Sequence, residues 1–373
     1  MLRFILQHYM THDVEEEFEL SVRCFGTVFN IQYLPENIKS PSLFKTYRQL
    51  LVEYDQTGHP AVVAKLIKPF ESVMASVASL DQGYALSDYL YPRVFTLKAT
   101  AGPEDTKLTP RLEEEPASAP GDYVDQWPEL QDLESWVPRI YRSNQIRLPA
   151  PPERDTRLSG PAEVFVGGQS FFFKGWKSGG TLREGNLREL LTYKHFHEAL
   201  TSGKISPELR ICRLHGVVVD SDDHTPLRAR GRGAEPRNSA GPRRLVGLLL
   251  TFIDTKRKLL RMGTLSYGIR SEDCDPEMRS RWADDIDAAV AALHGAGIVW
   301  GDAKPDNILV DDDDDVWIVD FGGSYTDGWV DEDKSETMEG DRQGVERIKA
   351  FLGQGVLVDA GSCTPATDGV VVA

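Results

Sequence analysis

Residues 293–324 read LHGAGIVWGDAKPDNILVDDDDDVWIVDFGGS. The pattern is a helix end, a polar loop, an apolar run at 308–310, an acidic turn at 311–315, a second apolar run at 316–319 and a glycine turn. The two runs have the composition of paired strands around the acidic turn. The loop sets Asp302, Lys304 and Asn307 within six positions, and Asp320 follows the second run directly, 18 residues after Asp302. Phosphoryl transfer needs a carboxylate near the attacking hydroxyl and a cation for the transferred group. It also needs a carboxylate and an amide oxygen for a metal ion. This one segment offers all four.

In order and spacing the segment resembles the catalytic loop and metal-binding turn of protein kinases, whose usual form is H-R-D-x-K-x-x-N followed by D-F-G. The resemblance implies that Asp302 is the catalytic base and Lys304 the phosphate-facing cation, with Asn307 and Asp320 as magnesium ligands. The phrases GDAKPDN and DFGGSYTDGW resemble a group of small, divergent kinase-like proteins common in fungi. Two departures carry expectations. Trp300 and Gly301 stand where the family has His-Arg. The usual Arg pairs with a phosphate on the activation segment, so Gly301 removes the partner for that switch. Trp300 has the bulk to fill the space where the usual His packs on the metal-binding turn.

Upstream, AEVFVGG and SFFFKGW read as a hairpin turning at Gly167-Gly168, and residues 137–148 as a strand before it. Lys174 on the second strand of the hairpin resembles the lysine that contacts nucleotide phosphates. A helix from Leu182 brings Glu189, 15 residues on, close to the family spacing for its partner. Kinases cover the phosphates with G-x-G-x-x-G, whereas this chain has only Gly160 before the hairpin, preceded by Arg154 and Arg157. Gly160 alone gives few backbone N–H groups close access to phosphate, which implies reduced ATP affinity. LHGVVVD and RLVGLLLTFID read as further strands around an arginine-rich loop at 221–243, and the resemblance implies that the second is the edge strand leading to a hinge that holds adenine. Residues 278–297 have a helical pattern ending at Gly295 and Gly297, with His294 expected in packing. Past Ser324 there is no A-P-E, and Asp341 resembles the helix-start aspartate that anchors the catalytic loop.

The chain has 373 residues, 42 basic and 58 acidic, a formal charge of −16 and a pI near 5.0. That balance argues against nucleic acid or an anionic membrane as a partner. Four cysteines without a C-x-x-C pair indicate neither a zinc site nor a disulfide framework. With no signal peptide or apolar run of membrane-spanning length, an intracellular place, cytoplasmic or nuclear, is expected. Residues 1–100 read as an unassigned α+β segment, with two strands around Cys24 to Gly26 and helices parted at residues 57–60. His8, His12 and His59 show no metal-ligand pattern.

These readings combine into an α+β chain. A protein-kinase-like two-lobed fold with a truncated C-lobe is expected over 127–352. The α+β segment over 1–100 and a Pro- and Glu-rich linker over 101–126 precede it, and a loosely ordered tail covers 353–373. The function the resemblance implies is an ATP- and Mg2+-dependent phosphotransferase, a protein Ser/Thr kinase acting on a protein substrate or partner. Two alternatives stand beside it. One is a pseudokinase serving as a nucleotide-binding scaffold, to which the single Gly160 and Trp300 point. The other is a small-molecule kinase, since Gly301-Asp302 resembles the H-G-D loop of aminoglycoside and choline kinases. Oligomeric state has no signal in the sequence.

Overall fold

Alternating apolar residues at the start of the chain build β1 (Phe4–His12), β2 (Glu17–Cys24) and β3 (Thr27–Tyr33). With β4 (Arg93–Thr100), β5 (Thr109–Glu114) and β13 (Val371–Val372) they form a six-stranded sheet, ordered β13-β1-β2-β3-β4-β5. The computed structural model describes residues 4–12, 17–24, 27–78, 85–114, 133–149, 163–176, 180–221, 243–255, 275–354 and 371–372. β3 and β4 are parallel, so the chain must cross over between them. It does so through α1 (Pro41–Thr57), α2 (Pro60–Ile67) and α3 (Glu71–Val77). Phe18, Leu20 and Val22 from β2 and Phe29, Ile31 and Tyr33 from β3 share a buried cluster with Leu51, Leu66, Ile67 and Phe70. The period of two in each strand puts these residues on one face. Pro69 interrupts the apolar helical pattern of 61–78, and a 3-10 turn over Lys68–Phe70 separates α2 from α3.

A second sheet of five strands contains β6 (Ile140–Tyr141), β7 (Glu163–Val166), β8 (Gln169–Gly175), β9 (Leu214–Ser221) and β10 (Arg243–Thr251), in the order β6-β9-β10-β8-β7. Gly167 and Gly168, at φ +58° and +86°, close the β7–β8 hairpin in the left-handed region that a two-residue turn requires. Phe171 and Phe173 of β8 point to one side. There they join a buried cluster with Leu86 and Leu90 of α4 (Leu86–Leu90) and with Tyr141, Ile146 and Val218. Phe172 and Lys174 occupy the other side by strand alternation.

A larger core is continuous from α5 (Leu133–Trp136) and α6 (Gly180–Thr201), through β9 and β10, to α7 (Pro276–Gly295), the hairpin β11 (Ile308–Val310) and β12 (Val316–Ile318), and α8 (Met338–Gln354). Leu190, Tyr193 and Phe196 of α6 lie in it with Leu248 and Leu250 of β10. The strand segment 210–212 meets β12 through Ile318 N–H to the Arg210 carbonyl, 3.1 Å, and Cys212 N–H to the Ile318 carbonyl, 2.8 Å.

Several boundaries differ from expectation. Residues 109–114, placed in the linker over 101–126, form β5 on the edge of the first sheet. Its charged sequence suits an edge, where Lys98 pairs across the strands with Glu113 at 2.8 Å. The strand expected over 137–148 shrinks to Ile140–Tyr141. Asp220 takes the Ser143 N–H at 3.1 Å and the Ser143 hydroxyl at 2.5 Å, which turns the chain there. The tail from 353 ends in β13, paired with β1. Residues 85–91, counted with the N-terminal segment, pack on the second sheet. The Leu86 N–H donates to the Ile146 carbonyl at 2.9 Å, and the Tyr91 hydroxyl to Asp220 at 2.9 Å. Gly160, Arg154, Arg157 and the interior of the arginine-rich loop lie outside the described residues.

Candidate active site

α7 carries the chain to the site. Asp275 caps its first turn, accepting the Met278 N–H at 2.7 Å, and Pro276 follows at the first helical position. Trp282, Ile286, Val290 and Leu293 bury one face at helical spacing. The helix gives way at Gly297, φ +80°, and the chain enters the polar loop.

That loop is fixed from behind by Asp341 of α8, which is buried. Its Oδ1 accepts the Gly301 N–H and its Oδ2 the Trp300 N–H, each at 2.8 Å. His294 Nε2 lies 2.8 Å from Oδ2, so His294 is a polar partner of Asp341 and more than a packing residue. Trp300 is buried, and its Nε1–H donates to the Val319 carbonyl at 3.0 Å, tying the loop to the residue before Asp320. Gly301 sits at φ +93°, and a Cβ there would lie 3.2 Å from Gly323 Cα. The backbone angle favours glycine, and the close approach adds to it, since a Cβ would make Gly323 give way by a few tenths of an ångström.

Asp302 lies in a buried polar cluster with two of the other residues singled out in the loop. Lys304 Nζ is 2.7 Å from its Oδ2. The Asn307 side-chain amide donates to the same oxygen at 3.1 Å and to the Asp302 carbonyl at 3.0 Å. Thr326, which the sequence did not single out, closes the cluster. Its hydroxyl donates to Asp302 Oδ1 at 3.0 Å and accepts from Lys304 Nζ at 2.9 Å. The only sequence signal for Thr326 is its place six residues after Asp320.

Lys174, Glu189 and Asp320 meet in a second cluster. Lys174 Nζ stands 2.8 Å from Glu189 Oε2 and 2.9 Å from Asp320 Oδ1. Burial works against the lysine charge, but the two carboxylates outweigh it and raise its pKa above the usual lysine range. Glu189 is nearly enclosed, and burial raises its carboxyl despite Lys174. Burial also pushes the Asp320 carboxyl up, but Lys174 outweighs it and holds Asp320 below the usual carboxylate range. The Asp320 backbone is at φ +60°, an unfavourable angle for a residue with a Cβ, and its Oδ1 also takes the Gly322 N–H at 3.3 Å. Phe321 anchors this turn from below, edge-on to Phe196 with ring centroids 4.7 Å apart.

All six singled-out residues thus fall into two adjoining clusters, one around Asp302 and one around Lys174, joined through β12 and Trp300. Phe172, an exposed ring on the Lys174 side of β8, adds an apolar surface beside them. Among the described residues no group of three or more His, Cys, Asp or Glu side chains that could hold a metal ion occurs. Asn307 and Asp320 supply one amide oxygen and one carboxylate. Such a pair suits a magnesium ion that arrives with phosphate and keeps several waters.

No family model matches the chain. Over 84 residues it is 38% identical to the serine/threonine-protein kinase Sgk1 of Xenopus tropicalis, covering 21% of this chain and 20% of that protein. Against Sgk1 of Homo sapiens the identity is 39% over 85 residues, again 21% of this chain and 20% of the relative. The chain therefore spans about a fifth of the length of the curated relatives it matches. No helix among the described residues is long and apolar enough to cross a membrane. The mixed helices and sheets are compatible with a kinase-like fold, and the sequence similarity is to a protein-kinase-like family over that portion.

Proposed function

We propose that the protein is an ATP- and magnesium-dependent phosphotransferase whose acceptor is a Ser or Thr hydroxyl of a protein partner. The observation that carries this reading is the ammonium of Lys174 held between Glu189 and Asp320, with Asp302 and Lys304 beyond the same turn. In this reading the five-stranded sheet with α6 is the smaller lobe. α7, the β11–β12 hairpin and α8 form a reduced larger one, and the nucleotide lies between them. Lys174 binds nucleotide phosphates, and Phe172 offers an apolar face to the base. Asn307 and Asp320 would hold the magnesium ion, which neutralises phosphate charge. The acceptor hydroxyl gives its proton to Asp302 as its oxygen bonds to the terminal phosphorus. The bond from that phosphorus to the ADP oxygen breaks, and Lys304 balances charge on the transferred group.

A second reading, a nucleotide-binding scaffold, is favoured by one observation. Both oxygens of Asp302 are already engaged by the chain's own Thr326, Lys304 and Asn307. Labelled ATP incubated with a peptide library and a panel of small alcohols separates the readings. Asp302→Asn is expected to keep Mg-ATP binding and to lower turnover severely, because the contact counts mainly in the transition state. Transfer at full rate in Asp302→Asn would remove the residue from the mechanism. Nucleotide binding with no transfer above that variant's background would establish the scaffold, and transfer only to alcohols would replace the protein acceptor.

A further inference from the structure

One ion pair beside the site joins elements that the proposed chemistry needs together. Arg188 immediately precedes Glu189 on α6, and its guanidinium pairs with Glu336 in the segment between Asp320 and α8. Gly323 lies between them. A Cβ built on Gly323 would stand 2.4 Å from Arg188 Nη1, 2.7 Å from its Cδ and 2.9 Å from Glu336 Oε1. On its other side Gly323 meets Gly301, as the 3.2 Å approach already described requires. Arg188, Gly323 and Gly301 are therefore stacked in contact. They bring α6, the turn after Asp320 and the loop before Asp302 into one layer, with glycine at both inner positions, where φ is +93° and +73° and a Cβ would crowd its neighbour. Glu336 closes the stack from outside and itself sits at φ +59°, a conformation that a residue with a Cβ adopts only where its surroundings hold it.

We infer that Arg188 and Glu336 are positioning residues, a clasp that holds α6, and with it Glu189, against the turn carrying Asp320. The inference rests on the function proposed above for what the clasp serves, but its geometry is independent of it. Phosphorylation orders a segment by placing negative charge opposite a guanidinium. Here the carboxylate of Glu336 supplies that charge from the sequence itself, so closure of the segment needs no modification. Gly301 offers no cation to the segment, and Arg188 provides one from a different element. The side chains of Arg188 and Glu336 are 43% and 37% exposed, so the pair is screened by salt and its effect is modest.

Glu336→Gln, Arg188→Glu, Glu336→Arg and the double variant R188E/E336R test the clasp. Three quantities are read on the full chain: backbone amide exchange over residues 321–326, Mg-ATP affinity by calorimetry, and kcat against KM for transfer. Each single variant should raise amide exchange over 321–326 and lower kcat roughly threefold to fivefold, the range an exposed pair supports. KM for ATP should move less than about twofold, as expected for a residue that acts by holding others. The double reversal should restore both protection and kcat. Unchanged exchange in Glu336→Gln, or a double variant no better than the poorer single, would overturn the clasp. A wild type that binds Mg-ATP but transfers nothing would overturn the phosphotransferase reading, while the exchange measurements still decide the clasp. Thermal midpoints identify any variant that fails to fold, and Glu336→Gln, the mildest change, then carries the decision.

Discussion

Asp341→Ala removes the acceptor on which the loop before Asp302 hangs. Three donors meet this carboxylate, the backbone N–H groups of Trp300 and Gly301 and the ring of His294, each at 2.8 Å. At 1% exposure there is no ready route for water to replace the lost oxygens. A buried donor without a partner costs about 1–3 kcal/mol. The imidazole can turn away, but the two amides cannot move without moving the loop, so together they set a loss of roughly 2–6 kcal/mol. That is a large share of the roughly 5–15 kcal/mol a folded domain has in hand. Asp341→Asn keeps one acceptor oxygen but turns an NH2 toward another donor, so it should fall between wild type and alanine. Urea unfolding followed by tryptophan fluorescence reads this directly, since Trp282 and Trp300 lie in the same core. Asp333→Ala, at an exposed position, is the control. The expected order of stability is the control, then asparagine, then alanine. An alanine variant within about 1 kcal/mol of the control would refute the reasoning, because two stranded amides cannot be that mild at a site so closed to solvent.

Lys174→Met should weaken Mg-ATP binding by roughly 1.5–3 kcal/mol, the worth of a charge-assisted contact, and equal affinity by calorimetry would remove Lys174 from the phosphate site. The stability that Lys174 gains from its two partners follows its raised pKa. It is fully present below the ordinary lysine range and lost as pH rises through the folded value, while the depressed Asp320 contributes above the ordinary carboxylate range and fades in acid. The stability gap between wild type and Lys174→Met should therefore persist up to about pH 9 and widen as pH rises, because the buried Glu189, already raised, loses the cation that favours its charge; a gap that vanishes on raising the pH to about 9 would contradict the pairing. Leu86→Ala should cost about 2–5 kcal/mol although Leu86 lies far from the site in sequence, against under about 0.5 kcal/mol for the exposed Leu112→Ala; equal unfolding midpoints would show that α4 is not part of the second sheet's packing. Burial pushes the Cys212 thiol up to about 12, so iodoacetamide at about pH 8 should label it only after unfolding, as mass spectrometry of the native and denatured protein would show.

How much of this was legible depends on how far apart in sequence the partners lie. Asp302, Lys304, Asn307 and Asp320 lie within 19 residues around one short hairpin, so the resemblance and its spacing picked them out together, and the fold divides them between two adjoining clusters. Lys174 and Glu189 were within reach only through the kinase-like resemblance, which supplies both the lysine's place on the second hairpin strand and the 15-residue spacing to its glutamate. β5 was hidden because an edge strand with one solvated face can carry as much charge as a linker, and Arg111 and Glu113 read as solvated until their partners across the sheet are known. The strand expected over 137–148 failed for a different reason. Asp220, far along the chain, captures Ser143 and bends the segment, and no local pattern announces a partner 77 residues away. The contact of Leu86 and Leu90 with Phe171 and Phe173 is equally non-local, which is why the division near residue 100 separated residues that share a core.

Gly301 shows how a substitution that looks like a loss in one dimension can be a requirement in three. As sequence, it is a missing guanidinium. In the fold, its φ of +93° and its 3.2 Å approach to Gly323 mean that a side chain there would push the loop off the turn that carries Asp320. The close contact of the two glycines lets Arg188 lie over Gly323, and from there it reaches Glu336. The segment after Asp320 thus meets a positive charge from α6, next to the glutamate that pairs with Lys174, as well as Lys304 of the loop through Thr326. A guanidinium on α6 ties that helix to the segment directly, whereas one on the loop would tie the segment only to the loop. Placing arginine at 301 should therefore not improve the site. Gly301→Arg would strain the backbone and displace Gly323, so it should lower both stability and amide protection over 321–326. A Gly301→Arg variant as stable and as protected as wild type would mean that the loop and the turn are not in the contact on which the clasp depends.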